Sequence, residues 1–324
     1  MKKGIKAFIL AAALSVSLSV SLPLSSLAAF KDMPSGDDGA CLQRAVDNNL
    51  LTGFEDETIR PADAITRAQM AAITVRAFGA SKAADIGSYT DVSALDWFFD
   101  SMAKAVAMEA FQGSDNKLNP TDNISRQEAM IVLSRVFDLP ETDGTLNKYI
   151  DAALVADWAK DGVSKIAGGG YLPEKDLTLR PTDKMTRLEF AQIMDKLVSM
   201  YITESGEYTA DKLSGGNILV KASDVSFKGM EESTSVIIGD GVDGNTSFTD
   251  CKPSRVIVRG GTCTINSGTY KKVNAIGDGT KIVLMKNPLE LIIPGSTAVF
   301  NAKKDKGEIL LTFSDIEVSD KKSN

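Results

Sequence analysis

Histidine is missing from all 324 residues of this chain. Its absence excludes Ser-His-Asp and Cys-His nucleophile systems, and it excludes every metal site that needs an imidazole ligand. The three cysteines form no CxxC pair, so the sequence offers no thiolate zinc site, and no GxxxxGK phosphate loop occurs. We therefore predict neither a cofactor nor a metal. Chemistry based on two carboxylates stays open.

Long hydrophobic runs are lacking beyond the N-terminus. Three lysines precede an apolar run at residues 7–20, and small residues lead up to Ala28. This pattern is typical of an export signal, so we predict a cleaved signal peptide at residues 1–28. A retained membrane anchor is disfavoured because serines dilute the run and Pro23 interrupts it. The mature chain is predicted to have no membrane contact.

Positive charge is also scarce, because 36 Lys and Arg residues face 43 Asp and Glu residues and give a formal net charge of −7. Removing the signal peptide deletes three lysines and makes the chain still more acidic. Nucleic-acid phosphates attract clustered Lys and Arg, so we predict no nucleic-acid partner.

In an oxidising compartment Cys251 and Cys263 could form a disulfide and leave Cys41 free, or all three could be partly buried thiols.

The chain contains an internal sequence repeat in three copies. The copies begin with TRAQMAAITVRAF at Thr66, SRQEAMIVLSRVF at Ser125 and TRLEFAQIMDKLV at Thr186. A hydroxyl residue with Gln or Glu three positions later is typical of a capping box, so each copy predicts a helix start. One face of each helix is apolar. The residues on these faces are Met70, Ile73 and Ala77; Met130, Leu133 and Phe137; and Phe190, Ile193 and Leu197.

Other landmarks repeat at a spacing of about 60 residues, which predicts three helix-loop-helix units. Each unit opens on an aromatic residue, one variable residue and Asp, and a turn containing proline lies just before the capped helix. A helix pair of this size cannot bury its apolar face alone, so the three units are expected to share one core. The opening aspartates are Asp32, Asp91 and Asp151, and the second and third units also carry Trp97 and Trp158.

An arginine stands at the first helical position of each copy, as Arg67, Arg126 and Arg187. A positive side chain opposes the helix dipole there, so something should compensate it. One interpretation is an anion site, in which free helix amides and a planar guanidinium hold a carboxylate or phosphate. The alternative is that each arginine pairs with an aspartate of its own chain. Asp32, Asp91 and Asp151 are the candidates.

This set of motifs resembles the S-layer homology repeat of bacterial surface proteins, over roughly residues 30 to 200. The resemblance implies a pseudo-threefold helical module at the cell wall. It further implies that the module binds a secondary cell wall polysaccharide, often one bearing pyruvate ketals, in grooves between repeats. The polysaccharide-binding residues that we carry over are Arg67, Arg126, Arg187, Trp97, Trp158, Gly53 and Gly113, and we add Asp32, Asp91 and Asp151.

The chain departs from the repeat pattern at two places. The first unit has Ser35-Gly36-Asp37-Asp38-Gly39 where a tryptophan is expected, and the third has Pro173-Glu174-Lys175-Asp176 in place of the glycine loop. We therefore expect only one or two competent grooves. For Trp97 and Trp158, packing in the core is an alternative to contact with sugar.

From Tyr208 the chain changes to short β-rich runs separated by Gly, Asn, Asp and Ser, which predict a sandwich or a β-solenoid. SVIIGDGV and SRVIVRGG resemble solenoid-like segments that accompany S-layer homology repeats. The predicted fold is multidomain α + β, with an all-α module followed by an all-β domain that forms a short β-solenoid. The predicted divisions are a signal peptide (1–28), three repeats (29–81, 87–139 and 147–201), a β-rich domain (208–318) and a disordered tail (319–324).

These features support a non-catalytic surface protein that displays its β-domain on the wall for structural or interaction roles, with other surface proteins as candidate partners. The alternative is a wall-anchored polysaccharide-active enzyme with carboxylates drawn from Asp240, Asp243, Asp250 and Asp278, although acids in turns explain these residues more simply. The Asp and Asn residues of the GDGVDGN segment at residues 239–245 could indicate a calcium site, but a turn explains this segment more simply. A third hypothesis is that the β-domain self-associates, which light scattering with and without calcium would detect.

Overall fold

The computed structural model describes residues 30–142, 145–173, 177–270, 272–277, 280–284, 290–292, 300–301 and 309–312. The predicted signal peptide and tail lie outside these residues. The first part of the chain is helical, and each repeat contributes two α-helices. They are α1 (Gly36–Asp47), α2 (Arg67–Phe78), α3 (Phe99–Ala107), α4 (Arg126–Val136), α5 (Lys160–Gly168) and α6 (Arg187–Leu197), with short 3-10 segments at Thr145–Lys148, Ala152–Leu154 and Asp157–Ala159.

The second helix of each repeat begins at a complete capping box, as the sequence predicts. Thr66, Ser125 and Thr186 each accept a hydrogen bond from the amide three residues on, and the side chain at that position accepts from the cap amide. The nine apolar residues assigned to the buried faces are all 3 % exposed or less. The start and the buried face of each of these helices are therefore confirmed.

Backbone hydrogen bonds join the three repeats around a common axis. The amide of Ile65 donates to Met185 at 3.0 Å, that of Ile124 donates to Ile65 at 3.0 Å, and that of Met185 donates to Ile124 at 2.9 Å. These three residues are fully buried, and each precedes the cap of its own helix. The ring that they close gives the module its pseudo-threefold arrangement.

The second part of the chain is a β-solenoid, which confirms the predicted fold class. Its strands are β1 (Met200–Ile202), β2 (Gly206–Thr209), β3 (Gly216–Val220), β4 (Val225–Lys228), β5 (Thr234–Ile238), β6 (Asn245–Thr249), β7 (Arg255–Val258), β8 (Thr262–Ile265), β9 (Val273–Ala275), β10 (Lys281–Leu284), β11 (Glu290–Ile292), β12 (Phe300–Asn301) and β13 (Ile309–Thr312). From β1 to β11 successive strands alternate between two sheets and pair in parallel, whereas β12 and β13 pair antiparallel with β11 and β10. The first strand begins at Met200, inside the range that the sequence assigns to the third repeat.

Apolar ladders fill the space between the two sheets. In one sheet Ile218, Val236 and Val256 are register neighbours, and in the other Phe227 lies opposite Phe248 with ring centroids 5.2 Å apart. Cys251 and Cys263 also lie in this core, where both are buried free thiols, as is Cys41 in the helical module. The disulfide that the sequence left open is thus not formed, and burial raises the pKa of Cys263 to about 12.

The outer face of the first sheet packs directly on the helices. Leu219, Ile237 and Ile257 are register neighbours that are fully buried and belong to the core of the helical module. Because their neighbours along each strand face the solenoid interior, these strands are apolar on both faces. The helical module and the solenoid therefore share a continuous apolar contact.

Candidate functional site

The three arginines at the first helical positions lie where one repeat meets the next. We call these places the first, second and third junctions, centred on Arg67, Arg126 and Arg187. The Nε group of each arginine donates to a backbone carbonyl of the following repeat. The acceptors are Leu118 at 2.9 Å, Leu179 at 2.8 Å and, because the third repeat meets the first, Ile59 at 2.7 Å.

The helix amides beside these arginines are not available to an anion. At the first junction Arg67 N donates to Asp122 O and Ala68 N donates to Pro120 O, both at 2.8 Å. The second and third junctions repeat the pattern at 2.8 to 3.0 Å, and the third amide is bonded to the capping hydroxyl. The predicted contribution of free helix amides to an anion site is therefore wrong, because loop carbonyls of the next repeat already accept from them.

The predicted pairing of the arginines with the opening aspartates is also wrong. Asp32, Asp91 and Asp151 each accept two backbone amides from the loop of their own repeat, at 2.7 to 2.9 Å. The second donor in each case has a positive φ, between 48° and 50°. These donors are Arg60, Asn119 and Arg180. The aspartates therefore hold a backbone conformation that residues other than glycine rarely adopt.

Glutamates of the capping boxes are the acids that pair with two of the arginines. Arg67 Nη1 lies 3.0 Å from Glu128 Oε1, and Arg126 Nη1 lies 2.9 Å from Glu189 Oε1. Burial alone would raise the pKa of Glu189, but the Thr186 amide and the charges of Arg126 and Arg180 outweigh it and lower that pKa. These glutamates were missed as site residues, although each stands two positions after a site arginine.

The third junction differs because its capping box contains Gln69 where the other two contain glutamate. Arg187 Nη2 donates to Thr52 O at 2.6 Å, and its guanidinium lies 5.0 Å from the Phe54 ring centroid. The Arg60 guanidinium lies 3.8 Å from the same centroid. Two cationic side chains thus contact one aromatic ring at this junction.

The second junction contains a cavity of about 190 Å³. Arg126, Arg180 and Glu189 supply its charged lining, and Tyr149 supplies an aromatic wall. The cavity combines an apolar surface with hydrogen-bond donors and an acceptor, and it is smaller than the roughly 300–1,000 Å³ of most ligand pockets.

The two glycines assigned to binding are required for packing. A Cβ atom at Gly53 would lie 1.9 Å from the ring of Phe30, and one at Gly113 would lie 2.3 Å from the ring of Tyr89. At both positions the loop backbone contacts the opening aromatic of its own repeat at a distance that leaves no room for a side chain. Whether these glycines also contact a ligand stays a prediction.

The two tryptophans lie on the surface. Trp97 is 68 % exposed and Trp158 is 62 % exposed. The alternative that Trp97 and Trp158 pack in the core is therefore wrong. The Trp97 and Phe98 rings form an edge-to-face contact, with ring centroids 5.5 Å apart. Exposed aromatic faces suit contact with sugar rings.

The acids considered for catalysis are engaged in local contacts within the solenoid. Asp240 binds Arg259 at 2.6 Å, Asp243 accepts from Ser223 at 2.6 Å, and Asp250 accepts from Ser267 at 2.7 Å. Asp278 lies outside the described residues. Across the described part of the chain, no group of three acidic or cysteine side chains could hold a metal ion, and no helix is long and apolar enough to cross a membrane.

Comparison with known proteins agrees with the architecture. Residues 29–71 and 88–130 match the family model of the S-layer homology domain. The chain is 28 % identical to the surface-layer 125 kDa protein of Lysinibacillus sphaericus over 60 % of its own length and 17 % of that protein. It is 24 % identical to exoglucanase XynX of Acetivibrio thermocellus over 45 % and 14 % of the two lengths. It is also 24 % identical to the amylopullulanase of Thermoanaerobacterium thermosulfurigenes, over 45 % and 8 %. The chain thus spans less than a fifth of these relatives.

Proposed function

Because the chain is a bacterial cell-surface protein whose S-layer homology domains are followed by a β-solenoid, we propose that its three repeats bind an anionic, pyruvate-bearing secondary wall polysaccharide. S-layer homology domains anchor surface proteins to the cell wall. We propose further that the polymer is anionic and that residues of the junctions bind it. The solenoid is displayed on the wall without catalytic activity.

The observation that carries this proposal is the repeated placement of a guanidinium group at each junction. Arg67, Arg126 and Arg187 reach into the following repeat with the same Nε-to-carbonyl bond. A planar guanidinium is suited to a carboxylate, and pyruvate ketals carry one carboxylate each. Trp97 and Trp158 add exposed aromatic faces in the second and third repeats. The opening aspartates contribute by fixing the loops that form the junction walls.

Two of the relatives have the names of glycan hydrolases, which keeps the enzyme alternative worth testing. The similarity covers 14 % and 8 % of those proteins. In the present chain the solenoid acids Asp240, Asp243 and Asp250 are each bound to a neighbouring Arg or Ser side chain. A glycosidase would instead need two carboxyl groups that face each other across a sugar. This arrangement supports display over hydrolysis.

Co-sedimentation of the full chain with cell walls tests the proposal. Native walls are compared with walls stripped of secondary polymer, for the parent, Trp97→Ala, Trp158→Ala and the exposed solenoid control Lys212→Ala. We expect binding to require the polymer and to weaken roughly tenfold, about 1.4 kcal/mol, in at least one tryptophan variant. Because both indoles are exposed, their removal should leave the circular dichroism spectrum unchanged.

The same samples test catalysis through the release of reducing ends from the walls. We expect no release above a blank. Equal binding to native and stripped walls would contradict anchoring by the polymer, and steady release of reducing ends would contradict a purely structural solenoid.

A further inference from the structure

A cavity of about 870 Å³ lies where the helical module meets the solenoid. We call it the interface cavity. One wall is the loop at residues 80–84, which follows α2, together with the end of α3 at Met108. The volume falls within the roughly 300–1,000 Å³ of most ligand pockets, which often lie between domains. The opposite wall is formed by the three solenoid turns that precede β6, β8 and β10, through residues 240–243, 259–262, 276, 277 and 281.

Backbone groups make up much of the turn wall, because glycines let the turns contact each other directly. A Cβ atom at Gly260 would lie 2.5 Å from Gly239 O, and one at Gly277 would lie 1.8 Å from Arg259 O. Gly260 is buried, and a buried amide without an acceptor is unfavourable. Amides on two facing walls suit an extended peptide, which supplies carbonyl groups at regular intervals. The lining residues whose backbone amides have no acceptor among the described residues are Ser81, Ala83, Gly260 and Gly261.

Most charged side chains of the turn wall are already engaged. Arg259 binds Asp240 at 2.6 Å, and Asp243 accepts from a serine hydroxyl at 2.6 Å. Lys281, at the start of β10, is exposed and has no ion-pair partner among the described residues. Glu109 is exposed on the opposite wall. An acid that enters beside the turn wall would therefore meet an available lysine.

The chain itself leads to this cavity after Thr312, the last residue that the structure describes. Thr312 lies directly opposite Lys281 in the antiparallel pair of β10 and β13. Because β13 runs against β10, residue 313 leaves the sheet on the side of the turn that precedes β10, which is the side of the cavity. Six extended residues span about 20 Å, whereas three stacked turns span about 10 Å. Residues 313–318 are therefore long enough to cross the turn wall.

The sequence of this segment, FSDIEV, matches the lining of the cavity. Its apolar residues suit the alanines of residues 80–84 and the side chain of Ile276, and its acids suit Lys281. An extended backbone places the last two apolar residues on one face and both acids on the other. The described lining contains no aromatic side chain on which a sugar ring could stack, so a peptide fits it better than a glycan. The apolar residues are Phe313, Ile316 and Val318, and the acids are Asp315 and Glu317.

We infer that residues 313–318 dock in the interface cavity and fasten the last solenoid turns to the helical module. The segment runs along the turn wall, with its acids towards Lys281 and its carbonyl groups towards the amides of the two walls. The interface cavity is then an interaction surface for the chain's own segment and not a site for the wall polymer.

Hydrogen–deuterium exchange with mass spectrometry tests the inference on the full chain without wall polymer. Ala83→Trp puts a large side chain into the cavity from an exposed position, and Ala210→Trp, exposed between β2 and β3, is the matched control. Lys281→Glu reverses the charge beside the segment, and Lys281→Glu/Glu317→Lys restores an opposite pair. The amides of β5 report in every variant whether the solenoid is folded.

The expected result is slow exchange in the segment that depends on both walls. In the parent, amides of residues 313–318 should exchange at least tenfold more slowly than those of residues 319–324. Ala83→Trp and Lys281→Glu should each speed their exchange at least tenfold, whereas Ala210→Trp should leave it unchanged. The double charge exchange should return the rate towards that of the parent. The amides of β5 should stay protected throughout, because every substituted position is exposed or lies outside the solenoid core.

Three outcomes would overturn the inference. Residues 313–318 that exchange as fast as residues 319–324 in the parent do not dock. Slow exchange that Ala83→Trp leaves unchanged would mean that the segment docks elsewhere. Protection of Gly260 and Gly261 that rises with protein concentration, while residues 313–318 exchange quickly, would assign the cavity to a second copy of the chain. Because no polymer is present, none of these results depends on the proposed wall binding.

Discussion

At the residue scale, the capping-box glutamates perform two tasks with one carboxylate. Glu189 completes the cap of α6 and pairs both with Arg126, a residue from another repeat, and with Arg180. Burial lowers the pKa of Arg126, and the charge of Glu189 opposes that effect. The helix start and the repeat junction therefore depend on the same side chain, and a change there should affect both.

This coupling predicts a specific dependence of stability on pH. The pKa of Glu189 is lowered in the folded state, so its contribution is present above the unfolded pKa of about 4.3 and is lost as the pH falls through the folded pKa. We expect Glu189→Gln to reduce the free energy of unfolding by about 1.5–3 kcal/mol at pH 7. The difference from the parent should shrink towards pH 3.

Urea denaturation of both proteins between pH 7 and pH 3 measures this difference. The exposed Glu231→Gln is the matched control, for which we expect no change across the range. A Glu189→Gln deficit that stays constant down to pH 3 would contradict the role of the ionised carboxylate.

The sequence could identify the site arginines but not their partners. The T/S-R-x-E/Q motif predicts a helix cap and an arginine at the first position, and both are present. The partner of Arg67 is Glu128, which lies 61 residues away in the next repeat. Arg67 and Glu128 come together only because the three repeats close into a ring. From the sequence alone, the opening aspartates, which repeat at a similar spacing, were equally reasonable partners for the arginines.

At the scale of single elements, local signals determine where the helices begin. The cap hydroxyl of Thr66 accepts from Gln69 N at 3.2 Å, and Gly79 ends the same helix in the left-handed region at φ 69°. The capping-box pattern in the sequence predicts this start. The pattern does not indicate that the first two helix amides bond to loop carbonyls of another repeat, because that contact depends on tertiary structure.

The cap itself gives a second prediction. Thr66→Ala should lower the free energy of unfolding by about 1 kcal/mol, because the Gln69 amide loses its acceptor at the start of α2. Thr66→Ser keeps the hydroxyl and should retain most of the stability. Urea midpoints of the two variants and the parent measure the effect. A serine variant as unstable as the alanine variant would assign the loss to packing of the threonine methyl group.

Hydrophobic periodicity predicts the buried strands of the solenoid but not what packs on each of their faces. SVIIGD predicts a buried strand, and β5 is buried along its whole length. A continuous apolar run does not reveal what covers each face. In the folded chain Val236 and Ile238 face the solenoid core, whereas Ile237 packs on the helices. The sequence therefore does not reveal that β5 also packs on the helices, because burial in a single core would explain the same apolar run.

At the scale of the whole molecule, the helical module and the solenoid are joined by polar as well as apolar contacts. Arg259 of the solenoid binds Asp240 and donates to Met108 O at 2.9 Å, in the turn that ends α3. Gly241 N donates to Phe78 O at 3.0 Å, and a Cβ atom at Gly241 would lie 2.2 Å from Gly79 O. An isolated solenoid would expose the apolar face formed by β3, β5 and β7. Binding and activity assays should for this reason use the full chain.

This shared interface predicts that the two parts unfold together. Both tryptophans of the chain lie in the helical module, so their fluorescence reports on that module alone. Phe248 lies in the solenoid interior, fully buried and stacked on Phe227. Phe248→Ala should remove about 3–5 kcal/mol of stability, and the tryptophan-detected urea midpoint should fall although the mutated side chain lies outside the module. The milder Phe248→Leu should shift the same midpoint by less. If the tryptophan midpoint stays at the parent value while the β-sheet signal is lost earlier, the solenoid unfolds independently and the interface does not couple the two parts.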